Sequence, residues 1–83
     1  MTTNTEMETL VETIAMALVE DITQVSTTIE TEGDTLVISL TVAKEDMGRV
    51  IGKEGRTAKA LRTILNSVAT KSNIKATLKM VEP

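Results

Sequence analysis

The sequence predicts an α+β domain in the order α-β-β-α-α-β, with its helices packed on one face of a three-stranded sheet. Three observations lead there. Apolar residues recur at helical spacing over residues 6–20 and again over 57–71. Period-two alternation replaces it over residues 23–31, 35–42 and 74–81. The turn signal Glu32-Gly33-Asp34 separates the first two of these β-rich runs.

In the first helix Met7, Leu10, Val11, Ile14 and Leu18 form the apolar stripe, and Thr5 with Glu8 fits a capping box. Met7 and Met16 are expected to fill gaps in the core. Residues 1–5 are polar and expected to be a flexible terminus, leaving residues 6–83 as a single domain. The first strand places Val25, Thr27 and Ile29 on one face. The second alternates Leu36, Ile38, Leu40 and Val42 with Thr35, Val37, Ser39 and Thr41, as a half-buried strand does. A short glycine-containing loop between them predicts an antiparallel hairpin. Residues 44–51 read as a short helix with Met47, Val50 and Ile51 on its apolar side and Glu45-Asp46 as acidic decoration of its start. Gly52 is expected to end it in the left-handed conformation. Ala58, Leu61, Leu65, Val68 and Ala69 make the core face of the last helix, and Ile74, Ala76, Leu78 and Met80 alternate along the last strand.

Composition narrows the function. The chain has 83 residues, 41% of them apolar, which suits one small domain. A domain of this size buries only about 60% of its unfolded surface, so modest stability is expected. There is no Cys and no His, which removes thiolate chemistry, the commonest general base and the usual metal ligands. No activated acid pair replaces them, so neither an enzyme, a cofactor nor a metal site is expected. No signal-like or membrane-spanning pattern occurs, and a cytoplasmic protein without membrane attachment is the expectation. The net charge of −3 hides a division: residues 1–40 carry eight acids and no base, whereas residues 41–83 carry nine bases and four acids. The local field of the basic half matters more for binding than the total.

The bases gather around Arg49-Val50-Ile51-Gly52-Lys53-Glu54-Gly55-Arg56-Thr57, followed by Lys59 and Arg62. Glycines joining two helices are common and a lone GxxG is weak. Here it follows an apolar Val-Ile pair, carries Lys53 at its tip and opens a helix whose exposed face is basic. Gly52 and Gly55 let backbone amides approach phosphate oxygens, and Lys53 and Arg56 neutralise them. The N–H groups of Arg56 and Thr57 are expected to be free to donate. The spacing is not that of a P-loop, so triphosphate chemistry is unsupported. Bases are expected in an apolar groove formed by Val50, Ile51, Ala58 and a neighbouring strand, with one of Val50 and Ile51 pointing inward and the other lining the groove. Glu54 opposes the phosphate and reads as a tuning charge. The chain lacks Phe, Tyr and Trp, and so lacks stacking platforms that contribute about 1–3 kcal/mol per base. Weak, sequence-tolerant binding follows.

The run from Asp46 to Arg62, in this element order, resembles the small bacterial single-KH-domain RNA-binding proteins of the KhpA type. The resemblance covers essentially the whole chain and implies a type II KH fold. It implies clamping of single-stranded RNA, with single-stranded DNA as the alternative, at Gly52, Lys53, Glu54 and Gly55 with Arg56 adjoining. It also implies RNA-chaperone activity, and work as a homodimer or with a larger KhpB-type partner in cell shape and envelope growth. Ala58 departs from the larger aliphatic residue of many KH domains, which implies a wider groove or weaker base contacts. A competing reading is a protein-interaction module with little intrinsic RNA affinity. Ile64, beside Ala60 and Ser67 at the edge of the core stripe, fits either a dimer seam or an edge core position.

Overall fold

A computed structural model describes residues 3–82 of the chain. Helix α1 spans Thr3–Leu18, strand β1 Ser26–Glu32, strand β2 Thr35–Thr41, helix α2 Met47–Ile51, helix α3 Arg56–Lys71 and strand β3 Lys75–Val81. Short 3-10 turns at Ile22–Gln24, Lys44–Asp46 and Lys53–Gly55 punctuate the connections. The order α-β-β-α-α-β is the expected one.

Several boundaries differ for local reasons. Helix α1 reaches back to Thr3, so Thr5 lies inside it and is not an N-cap. The expected flexible terminus falls partly on residues 1–2, outside the described residues. Strand β1 starts at Ser26 because Asp21 caps a 3-10 turn, its carboxylate accepting the Thr23 N–H at 3.1 Å. The hairpin turns on Gly33 and Asp34, with Gly33 at φ +62°, and pairs Glu32 with Thr35 across a two-residue loop.

The sheet order is β1-β2-β3, with β1 antiparallel and β3 parallel to the central β2. A parallel pair needs a crossover, which α2 and α3 provide. Centrality explains why β2 is buried more than a one-sided pattern predicts. Val37 points away from the helices, yet it is only 6% exposed because Glu30 and Thr77 flank it in register.

The core lies between the sheet and α1 and α3. Met7, Val11 and Ala15 enter it from α1, Ile38 and Leu40 from β2, Leu61 and Leu65 from α3, and Leu78 from β3. The α1 stripe is therefore centred on residues spaced by four, with Leu10, Ile14 and Leu18 half-buried at its flanks. Met16 lies off that stripe and is 40% exposed, so it is not the core filler that its type suggests. Helix α3 ends in a Schellman motif. Asn73, at φ +59°, donates to Thr70 O at 3.0 Å, and Ile74 N–H returns to Ala69 O at 2.9 Å. That closure leaves Ile74 ahead of β3 and partly exposed.

Candidate functional site

The loop between α2 and α3 is built by backbone geometry before any side chain contributes. The N–H of Gly52 closes α2 on Gly48 O at 2.9 Å. Gly52 has φ 79° and ψ 172°, which is not the expected left-handed helical state but an extended conformation reserved almost entirely for glycine. Thr57 adds a steric need for glycine here. A Cβ on Gly52 would lie 2.7 Å from Thr57 Cβ and 2.8 Å from Thr57 N, so the start of α3 seats directly against the missing side chain. The chain then makes a tight turn, with Gly55 N–H on Gly52 O at 3.2 Å.

Two consecutive left-handed residues finish the loop: Glu54 at φ 58°, ψ 27° and Gly55 at φ 74°, ψ 13°. For Glu54 this conformation costs about 1–2 kcal/mol. Gly55 is needed for conformation alone, since a Cβ there meets nothing within 4 Å. The N–H of Arg56 donates to Lys53 O, so it is not free for a ligand as the sequence suggests. The N–H groups of Lys53 and Glu54 take no part in these turn bonds and belong to the two exposed residues among 52–55.

The cations separate into three groups. Lys53, Arg56 and Lys59 are exposed, and among the described residues none makes an ion pair. Arg62 leans from α3 onto the outer edge of β3, its Nε donating to Leu78 O at 3.4 Å. There it lines a depression with Val37, Thr77, Lys79, Met80 and the acid Glu32. Arg49 is engaged by acids: Nη2 lies 2.8 Å from Glu20 Oε1 and Nε 3.4 Å from Asp46 Oδ1.

The expected apolar groove forms differently. Val50 is completely buried and Ala58 is 3% exposed, so both belong to the core and neither side chain lines a groove. Ala58 thus faces the core beneath α3. Ile51 is half-buried and borders a shallow depression of about 310 Å³ with Met47, Lys44 and Glu82. Thr57 is half-buried against Gly52. Ala60, Ile64 and Ser67 share one exposed flank of α3, with Ile64 43% exposed. The Ser67 hydroxyl turns back to Thr63 O at 3.1 Å, which leaves that flank less polar than its sequence suggests.

Sequence reasoning missed Asp46. It is not helix decoration but a buried carboxylate, accepting the N–H groups of Glu20 at 3.2 Å and Asp21 at 3.1 Å. These bonds fasten the connection after α1 to the start of α2, and so fix the helix that leads into the loop. The partner residues lie some twenty-five positions away, beyond any local pattern; only the i,i+3 spacing of Asp46 and Arg49 hinted at an ion pair.

Among the described residues no group of acids could hold a metal ion, and no helix is long and apolar enough to cross a membrane.

The fold and the sequence both have known counterparts. The chain is 47% identical to RNA-binding protein KhpA of Halalkalibacterium halodurans over 92% of its own length and all of the relative's. It is 45% identical to RNA-binding protein KhpA of Listeria monocytogenes, over 92% of this chain and all of that one. With RNA-binding protein KhpA of Clostridium acetobutylicum it shares 41% identity, over 90% of this chain and all of that one. Among solved structures, Aquifex aeolicus Era bound to GDP.AlF4- superposes with a TM-score of 0.62 at 18% identity. Era in complex with MgGDPNP and nucleotides 1506–1542 of 16S ribosomal RNA superposes with a TM-score of 0.63 at 18% identity. In each case 99% of this chain matches 31% of the Era chain, a likeness of fold alone. The family model described as KhpA/KhpB, KH domain matches residues 8–80, and the chain belongs to that family, with the type II KH fold.

Proposed function

We propose that this protein is a non-catalytic module that binds single-stranded RNA by clamping its phosphate backbone at residues 52–55. The observation that carries the reading is the loop itself. Its first position has room for glycine alone because Thr57 packs against it, and it carries three exposed cations, Lys53, Arg56 and Lys59, without acidic partners among the described residues. The start of α3 adds the positive end of a helix dipole. The naming of several relatives as RNA-binding proteins supports the same class of ligand. Arg62, six residues into α3, and the β3 edge offer further hydrogen-bonding groups for bases.

With few cations and no aromatic platform, the affinity is weak and falls with salt. Such binding suits a cytoplasmic RNA chaperone, which must release its substrate. Single-stranded DNA competes unless the 2′-hydroxyl is read. Pairing with a KhpB-type partner and a role in cell shape and envelope growth extend the reading by kinship with the family.

A test is to neutralise Lys53, Arg56 and Lys59 one at a time to Gln and measure RNA binding against salt. Each cation that meets a phosphate lowers the slope of log K on log salt by about 0.7. Unchanged slopes for all three contradict the clamp.

A second reading is assembly, and Ile64 favours it. It is a large apolar side chain 43% exposed between exposed Ala60 and Ser67, a combination that suits packing against a second helix. A dimer would present two weak clamps and gain avidity. Ile64→Lys is expected to give a monomer in sedimentation; an unchanged profile removes the seam.

A further inference from the structure

We propose that Glu20 is an internal stand-in for phosphate: it holds the guanidinium of Arg49 in the free protein, and an RNA strand entering the loop exchanges that carboxylate for a backbone phosphate. The proposal rests on the clamp reading above and identifies what attenuates the clamp.

Arg49 lies on α2, three residues before Gly52, within one helical turn of the loop. Its two acidic partners are unlike each other. The Asp46 side chain is 5% exposed and fixed by the N–H groups of Glu20 and Asp21. The Glu20 side chain is 76% exposed and meets Arg49 at 2.8 Å. One partner is a fixed, buried acid at Nε, and the other an exposed acid at Nη2. Glu20 takes a single N–H of Nη2, and a guanidinium donates to carboxylate and phosphate oxygens alike, so a phosphate arriving at Nη2 competes with Glu20 for that donor. Because the Glu20 backbone is fastened to Asp46, its carboxylate stays within reach of Arg49 at high effective concentration.

The magnitude decides between attenuation and blockade. The Arg49 side chain is 52% exposed, and pairs at this exposure contribute at most about 1 kcal/mol, or roughly a fivefold change in affinity. Glu20 thus weakens the clamp without closing it. Lys53, Arg56 and Lys59 have no such partner among the described residues, so the effect passes through Arg49.

Fluorescence anisotropy with a short labelled single-stranded RNA tests this on Glu20→Gln, Glu45→Gln, Arg49→Gln and the Glu20→Gln, Arg49→Gln double variant. Glu20→Gln is expected to tighten binding about two- to fivefold, because Arg49 meets the phosphate without first releasing a carboxylate. Glu45 is exposed and carries the same charge without an ion pair to Arg49, so Glu45→Gln is expected to leave affinity at physiological salt unchanged. In the Arg49→Gln background, Glu20→Gln is expected to have no effect. If RNA binds the wild type but Glu20→Gln does not tighten it, or gains as much without Arg49, the proposal is overturned and the clamp stands. A gain of the same size from Glu45→Gln likewise reduces the effect to net charge. If no variant and no wild type binds RNA, both the proposal and the clamp fall.

Discussion

Replacing Gly52 by Ala places a methyl group where the structure has no room and no permitted backbone for it. At φ 79° and ψ 172° an L-residue occupies a region nearly exclusive to glycine, a strain of about 1–3 kcal/mol. The new Cβ also lies 2.7 Å from Thr57 Cβ and 2.8 Å from Thr57 N, and overpacking of that kind costs about 1–3 kcal/mol more. The sum is about 2–6 kcal/mol, a large share of what a small domain has. Gly55→Ala is the internal comparison. Its Cβ meets nothing within 4 Å, so only the left-handed backbone counts, about 1–2 kcal/mol. Urea unfolding followed by circular dichroism measures both losses. Adding Thr57→Gly to Gly52→Ala removes two of the three crowded atoms, Oγ1 and Cβ, and leaves the backbone N, and the double-mutant cycle is expected to show favourable coupling of about 1 kcal/mol. Equal losses for the two glycines, or strict additivity with Thr57→Gly, would refute the close seating of Thr57 on Gly52.

Three further outcomes follow from the same structure. Asn73→Gly relieves a left-handed C-terminal position and is expected to stabilise by about 0.5–1 kcal/mol, read as a rise in melting temperature. Asp46→Ala leaves the N–H groups of Glu20 and Asp21 without their acceptor and is expected to cost about 1–3 kcal/mol in the same unfolding assay. Glu54→Asn keeps the left-handed turn with a residue that tolerates it and removes a negative charge from the loop. Both stability and RNA affinity are expected to rise, and a loss of affinity would mean that the carboxylate contributes to binding.

Element order was legible because hydrophobic period is a local signal. The α3 stripe of Ala58, Leu61, Leu65 and Ala69, and the turn at Gly33, could be read directly. The GxxG loop was legible as a position but not as a conformation. Thr57 packs against the place a Gly52 side chain would take, a contact between loop and helix that no local pattern shows. Burial was harder wherever geometry depends on distant neighbours. Met16 looked like core until Ala15 took the stripe, and Val37 looked outward until two flanking strands covered it. The fate of Arg49 was illegible for the same reason. Its charge is visible in the sequence, but Glu20, twenty-nine positions earlier, decides whether it is free.

The central claim is that residues 52–55 hold RNA by its backbone, and the most direct measurement is anisotropy of a short labelled single-stranded RNA at low and physiological salt. Wild type is compared with a Lys53→Asp, Glu54→Asp double variant, in which Asp is tolerated at the left-handed position 54. Its circular dichroism and melting temperature are expected to match those of the wild type. The account predicts salt-dependent binding by the wild type and none by the double variant. Equal binding by a folded double variant would contradict it and shift the RNA contact away from the loop.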